Sequence, residues 1–254
     1  MNNPKQNFYL TKNNHKIHFK FIKGKKPITV IFLHGLMSSI QSKKVKYLKK
    51  FALKNKINIL MFEYRGHGKS SGRFSDFSIK DWIYDSKLII EKLVKTKKII
   101  LIGSSMGSWI AINLIKFFKN RIIGLIGIAA APDFTEELIW PKLTKKAKKI
   151  INKNKIYKLK SNYNSYYPIT KKFINDAKQF LVLKKKFICN FPVELFHGYY
   201  DASVPWIYAI KLKKVLISKQ FKIHLIKTGN HSLSKPEDLQ KIGLRISKMI
   251  KNTF

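Results

Sequence analysis

The chain reads as an α/β fold, with a mostly parallel central sheet, helices on both faces and a small helical lid inserted beside one end of the strands. Three observations predict it. Short apolar runs rich in β-branched residues alternate with stretches whose apolar residues recur at helical spacing. Runs such as PITVIFLH and KIILIGS are apolar at successive positions rather than at every second residue, as expected of strands covered on both faces. The chain has 254 residues, 45% of them hydrophobic, which supports one full core at that length and rules out a disordered chain. A single domain over residues 1–254 is expected, with residues 133–190 as its lid.

The elements follow in order. Phe8–Lys12 and His15–Lys23 read as a hairpin turned at Asn13-Asn14. Pro27–His34 (PITVIFLH), ended by Gly35, is a buried strand. Ser42–Asn55 carries Val45, Leu48, Phe51 and Ala52 at helical spacing, and Asn58–Tyr64 is the next strand. Arg65–Phe77 is a Gly/Ser-rich loop. Ser78–Lys97 is an amphipathic helix with Ile79, Trp82, Ile83 and Ile89 on one side. Lys98–Ser104 is a strand that runs at once into a helix from Met106 to about Lys119. Ile122–Ala131, Val193–His197 and Phe221–Lys227 are further strands, and Pro205–Ser218 and Pro236–Met249 are helices. Asp133–Asn190 breaks the alternation. It is dense in Lys and Tyr, helical in pattern and without a clear strand, which places it as a lid over the sheet edge.

The charge balance is extreme: 52 Lys and Arg against 13 Asp and Glu, a net charge of +39. Nucleic-acid binding is the first class this raises. Only four of the basic residues are Arg (Arg65, Arg73, Arg121, Arg245), whereas base-reading and phosphate-clamping surfaces favour its bidentate fork. Lys is spread along the whole chain together with Ile and Asn, which share A/T-rich codons, so a low-GC bacterial genome accounts for the composition. No specific nucleic acid is expected as a partner. A weak, salt-sensitive attraction to anionic membrane surfaces is expected.

One cysteine, Cys189, excludes an internal disulfide and a Cys-rich metal site. The opening MNNPKQNFYL lacks a basic-then-apolar targeting segment, and the longest apolar stretch, residues 122–132, is far short of a bilayer span. A cytoplasmic protein is expected.

Chemistry is signalled at Gly103-Ser104-Ser105-Met106-Gly107. This is G-x-S-x-G between a strand and a helix. Such a turn projects a serine hydroxyl beside a helix N-terminus, and small residues on either side let the backbones approach. Ser105 is the expected nucleophile; Ser104 is out of register with the two glycines. A Rossmann turn would want G-x-G-x-x-G, which is absent.

A nucleophilic serine needs a base, and the base needs an orienting carboxylate. On a parallel sheet with this elbow the order is Ser, acid, His. Three histidines follow Ser105. His224 lies inside a strand, and His197 ends a strand and reads as turn support. His231 sits in Thr228-Gly229-Asn230-His231-Ser232, a loop after the last strand, and is the expected base. The intervening carboxylates are Asp133, Glu136, Glu137, Asp176, Glu194 and Asp201. Asp201, in the loop after a strand and before a helix, is the expected acid, with Asp133 the runner-up. The oxyanion of acyl transfer needs two backbone donors. The N–H groups of Met106 and of Leu36, beyond the His34-Gly35 turn, are the candidates.

Four separated pieces, HGLMSS, EYRGHGKSSG, GSSMGS and HGYYDASVP…GNH, resemble the α/β-hydrolase superfamily over nearly the whole chain. GSSMGSWIAI, GLIGIAAAPDFTEEL and ELFHGYYDASVPW are similar to the α/β-hydrolase-domain group that contains a mitochondrial palmitoyl-protein thioesterase and acyl-glucuronide esterase, with its bacterial relatives. The resemblance implies the α/β-hydrolase fold, nucleophile Ser105, acid Asp201, base His231, and no cofactor or metal. It also implies an ester or thioester substrate, with long-chain acyl thioesters, S-acylated protein among them, ahead of small esters. Lys142, Lys145, Lys146, Lys148 and Lys149, within the Lys- and Tyr-rich segment 141–168, are expected to face an anionic membrane or an anionic leaving group. A basic, non-catalytic nucleic-acid binder is the alternative from a different class.

Overall fold

The computed structural model describes residues 7–161 and 165–253. The opening residues read for a targeting segment, and positions 162–164 of the expected lid, lie outside them. The hairpin forms as β1 (Asn7–Leu10) and β2 (Lys16–Ile22), followed by β3 (Lys26–Leu33), α1 (Lys43–Asn55), β4 (Ile57–Phe62), α2 (Ile79–Leu93), β5 (Lys98–Ser104), α3 (Met106–Phe118) and β6 (Ile122–Ile128). A long crossover then carries α4 (Lys145–Asn152), β7 (Tyr157–Lys160), β8 (Tyr166–Ile169), α5 (Lys171–Ala177) and β9 (Phe187–Ile188). The chain closes with β10 (Val193–Gly198), α6 (Ile207–Val215), β11 (Leu216–Ile217), β12 (Phe221–Ile226) and α7 (Pro236–Lys251).

Eight strands make the central sheet in the order β1-β2-β4-β3-β5-β6-β10-β12. The β1–β2 and β2–β4 pairings are antiparallel and the rest parallel. The unbroken apolar runs reflect two cores, one on each face. Ile28, Val30 and Phe32 of β3 and Ile100 and Ile102 of β5 face α1 and α7, while Ile31 and Leu33 of β3 and Ile99 and Leu101 of β5 face α2, α3 and α6. The strand period of two sends successive side chains to opposite faces, so a single polar residue mid-strand would face a dry core on either side. Each of these side chains contributes about 1.5–3 kcal/mol by its burial.

The helix ends follow local chemistry. The Ser42 side chain accepts from the Val45 N–H to cap α1, and Lys56 in the left-handed region closes it. Pro236 opens α7, where its missing N–H costs no hydrogen bond.

Two expectations are corrected. The segment from 133 to 190 is not helical throughout, because β7 and β8 pair as an antiparallel hairpin. Their sequences, YKLK and YYPI, hide the strand: the lysines of β7 point to solvent on alternate residues, and that pattern reads as a solvated helix face. The helix expected to run to Ser218 stops at Val215, and Leu216-Ile217 leave to pair with Phe187-Ile188. A run of β-branched and aliphatic residues gains more from that ladder than from another helical turn.

The crossover is fastened to the body at named points. Trp109 Nε1 and Asn113 Nδ2 of α3 donate to the Phe180 carbonyl at 2.8 and 3.0 Å. The Asp133 carboxylate accepts from the N–H groups of Val182 and Leu183 at 2.8 Å each. Among the described residues no helix is long and apolar enough to cross a membrane.

Candidate active site

The elbow joins β5 to α3. Ser105 has φ +53° and ψ −118°, a left-side conformation that costs a non-glycine residue about 1–3 kcal/mol. Neighbouring hydrogen bonds hold it there: the Ser105 N–H donates to Ile128 O at 2.8 Å, and the Ser105 carbonyl accepts from Ser108 N at 2.9 Å. The flanking glycines are demanded by close approach. A Cβ on Gly103 would lie 2.4 Å from the Ser108 backbone, and one on Gly107 would lie 2.0 Å from Leu33 O. The first turn of α3 therefore packs directly on the C-terminal end of β3.

His231 lies in the loop between β12 and α7. Its Nε2 is 3.1 Å from Ser105 Oγ and its Nδ1 is 2.7 Å from Asp201 Oδ2. Asp201, in the loop after β10, has no exposed side-chain surface, and its Oδ1 accepts from the N–H groups of Ser203 and Val204 at 3.0 and 2.8 Å. Burial alone would raise its pKa, but hydrogen bonds from His197 and His231 outweigh it and hold the carboxyl well below the usual range. The structure thus brings Ser105, His231 and Asp201, separated by up to 126 residues, into one hydrogen-bonded row.

The other candidates lie elsewhere. Asp133 is occupied by Val182 and Leu183, and burial pushes its carboxyl up to about 6. Glu194 forms a two-pronged pair with Arg245 at 2.5 and 2.6 Å and also meets His224 at 2.7 Å. His224 is thereby placed at the sheet edge, stacked on Phe196. Ser104 ends β5 and has no bond to an imidazole among the described residues. Glu136, Glu137 and Asp176 lie in the crossover, with Glu137 paired to Lys211 and Asp176 to Lys172.

Leu36 and Met106 line one cavity with Ser105 and His231. Met106 is the first residue of α3, so its N–H is among those a helix leaves without an internal acceptor. The loop carrying Leu36 is braced from below. Tyr64 donates its hydroxyl to His34 O at 3.1 Å, and His34 Nδ1 contacts Gly35 O at 2.8 Å. Burial, reinforced by neighbouring His67, keeps the His34 imidazole neutral, so this Nδ1 carries the proton it donates.

Ser105 borders two cavities. One, of about 270 Å³, is walled by Phe134, Leu138, Ile139 and Leu159, with Lys142 and Lys160 also on its lining. The other, of about 660 Å³, is bordered by Lys43, Lys44, Asn230, Ser232 and Ser234. Leu36, Ser105, Tyr167 and His231 border both. Among the described residues no group of three or more His, Cys, Asp or Glu is placed to hold a metal ion.

Two contacts were not anticipated from the sequence. His197, expected only to brace a turn, does contact Val204 O at 2.9 Å, but its Nε2 also lies 3.3 Å from Asp201 Oδ2. The four-residue spacing of His197 and Asp201 was the one available hint. Lys44 reaches from α1 to the Ser232 carbonyl and Ser234 Oγ. It thereby anchors the His231 loop from a position 188 residues earlier. Burial lowers its ammonium to about 8 despite Asp238 nearby.

This sheet order, with its elbow between β5 and α3, defines an α/β hydrolase, and the chain is one, of the serine ester and thioester class. The model of the serine aminopeptidase, S33, family matches residues 24–172, and the chain belongs to that family. It is 29% identical over 234 residues to the mitochondrial palmitoyl-protein thioesterase ABHD10 of Rattus norvegicus, covering 91% of this chain and 78% of the relative. Among solved structures, a protein of Agrobacterium vitis S4 described as a hydrolase superposes with a TM-score of 0.91 at 28% identity, over 97% of this chain and 98% of that one. Alpha/beta hydrolase domain-containing protein 10 from mouse superposes with a TM-score of 0.88 at 25% identity, over 98% and 100%.

Proposed function

We propose that the enzyme cleaves long-chain acyl thioesters, of the palmitoyl type, through an acyl-enzyme on Ser105. The observation that carries the chemistry is the row Ser105 Oγ, His231 Nε2 at 3.1 Å, and Asp201 Oδ2 at 2.7 Å from Nδ1. His231 accepts the Ser105 proton as Oγ attacks the acyl carbon. Asp201 holds the Nδ1–H tautomer and stabilises the imidazolium. The N–H groups of Leu36 and Met106 receive the oxyanion, each worth about 10²–10³ in rate. As the carbon–sulfur or carbon–oxygen bond breaks, His231 returns the proton to the leaving group. Water then attacks the acyl-enzyme, His231 takes its proton, and the tetrahedral intermediate collapses to the carboxylic acid as the bond to Oγ breaks and His231 returns that proton to Ser105 Oγ.

The acyl preference rests on the apolar wall of Phe134, Leu138, Ile139 and Leu159, since each buried methylene contributes about 0.8 kcal/mol, and on similarity to the thioesterase relative. The segment from 133 to 190 serves as the lid in this reading. Its Lys142, Lys145, Lys146, Lys148 and Lys149 attract an anionic membrane that presents S-acylated protein. A cytoplasmic location belongs to the same proposal, in keeping with a single cysteine and no internal disulfide.

The test is a fluorophosphonate probe together with a substrate panel. Labelling is expected to vanish in Ser105→Ala, and kcat/KM is expected to rise from acetyl to palmitoyl thioesters and to increase on anionic vesicles. A probe signal equal in Ser105→Ala and wild type overturns the nucleophile. A profile flat or falling with chain length replaces the long-chain reading by a small-ester carboxylesterase. A protein with no esterase activity but steeply salt-dependent DNA or RNA binding returns the basic non-catalytic reading.

A further inference from the structure

We infer that His197 is a positioning residue for the acid of the triad: a second imidazole whose Nε2–H approaches Asp201 Oδ2, the oxygen that also meets His231. The inference rests on the reading of Asp201 as that acid.

His197 is the penultimate residue of β10 and has no exposed side-chain surface. Its Nε2 lies 2.9 Å from Val204 O and 3.3 Å from Asp201 Oδ2. A carbonyl oxygen only accepts, so Nε2 must carry a proton, which then lies between the carbonyl and the carboxylate. Nδ1 is buried and has no hydrogen-bond partner among the described residues. A second proton there would be a buried donor with no acceptor, so the ring is neutral and its tautomer is fixed. Oδ2 consequently receives two imidazole N–H groups, from His197 and His231, while Oδ1 receives two backbone N–H groups. These four donors leave the carboxylate one orientation. His197 and His231 are the titratable groups that face it, and no lysine or arginine lies within ion-pair distance among the described residues.

The two imidazoles compete for the same oxygen. Removing the His197 donor leaves more negative charge for His231, which raises the basicity of His231 and frees the carboxylate to rotate. A residue that merely braced the turn through Val204 O would leave that basicity unchanged.

The experiment is the pH dependence of kcat/KM for His197→Leu, His197→Gln and Asp201→Asn on a soluble thioester. In His197→Leu the acid limb is expected to move up by about half a pH unit, with kcat reduced about tenfold. In His197→Gln, whose amide nitrogen reaches the place of Nε2, the limb is expected to return to the wild-type position. Should His197→Leu not fold, nitrogen NMR of the wild-type ring decides: a neutral imidazole protonated at Nε2, whose signal moves in Asp201→Asn, supports the inference. An unmoved limb in a folded His197→Leu enzyme, or a proton on Nδ1, overturns it. Full activity in Asp201→Asn overturns the triad reading, and this inference falls with it. An inactive Asp201→Asn enzyme beside an unmoved limb overturns this inference alone.

Discussion

Replacing Asp201 with Asn tests the site at its most determined point. The carboxylate is fixed by N–H donors from Ser203, Val204, His231 and His197. Asn keeps the volume, and its single oxygen satisfies the two backbone donors at the Oδ1 position. Its NH2 group then occupies the Oδ2 position, facing the Nδ1 of His231 that needs an acceptor. Nδ1 must give up its proton and accept, which moves the proton to Nε2, the nitrogen 3.1 Å from Ser105 Oγ. That tautomer cannot take the serine proton, and the charge that stabilises the imidazolium is gone as well. The expected fall in kcat is about 10⁴-fold, or roughly 5.5 kcal/mol at 1.36 kcal/mol per decade. KM should change little, because Asp201 has no exposed side-chain surface through which to touch substrate. The assay is steady-state thioester hydrolysis beside thermal melting, with Asp133→Asn as the comparison. Asp133→Asn loosens the crossover at Val182 and Leu183 but should retain most of kcat. If Asp201→Asn keeps more than about a tenth of the activity while Asp133→Asn loses it, the assignment of the acid is wrong.

Three further outcomes follow from other parts of the molecule. Gly107→Ala places a Cβ 2.0 Å from Leu33 O, a backbone atom, so it should cost at least about 3 kcal/mol, or roughly 6–12 °C in melting temperature. Arg245→Met strips the buried Glu194 of its two-pronged partner and should destabilise by about 3 kcal/mol at neutral pH with kcat of the folded enzyme unchanged. Burial raises the Glu194 pKa, but hydrogen bonds from His224 and Arg245 reverse this and hold it at about 2, against an ordinary 4.5. A depressed carboxyl stabilises the fold above the higher value and stops doing so as pH falls toward the lower one. The stability gap between Arg245→Met and wild type, read from urea midpoints, should therefore shrink between pH 5 and about pH 2. Burial pushes the Cys189 thiol up to about 11, so a disulfide reagent at pH 7.5 should react slowly with native enzyme and quickly after unfolding.

The parallel strands were legible because burial on both faces leaves little freedom in composition: β3 is apolar from Pro27 to Leu33 except at Thr29, and β5 from Ile99 to Gly103. The elbow was legible because two glycines and a serine meet distinct spatial demands at fixed intervals. What stayed hidden depended on partners distant in sequence. Asp201 and Asp133 both follow a parallel strand, and only the fold shows that Asp133 is occupied by backbone 49 residues away. The role of Lys44 depends on a carbonyl 188 residues away, and one lysine among 48 carries no mark of it. The oxyanion role proposed for Leu36 and Met106 falls to backbone N–H groups, so their side chains encode nothing about it. The strands β7 and β8 stayed hidden because four-residue pieces, one half lysine (YKLK) and one holding a proline (YYPI), have no apolar face long enough to show a period.

The crossover leaves the sheet after Ile128 and returns at Val193, and the two strands it joins, β6 and β10, are immediate neighbours. Whatever is built between them lies outside the ladder, much as a tool head is clamped between fixed jaws. Its footholds include Asp133 at its own root, Trp109 and Asn113 on α3, the contacts of Asp176 with Ser78 and of Lys172 with Asp81, the Glu137–Lys211 pair and the β9–β11 ladder. A segment exchanged between Ile128 and Val193 need not re-register a strand, because β6 and β10 stay paired with each other. A foreign segment transplanted there is therefore the natural way to vary what covers this scaffold while its ladder stays intact.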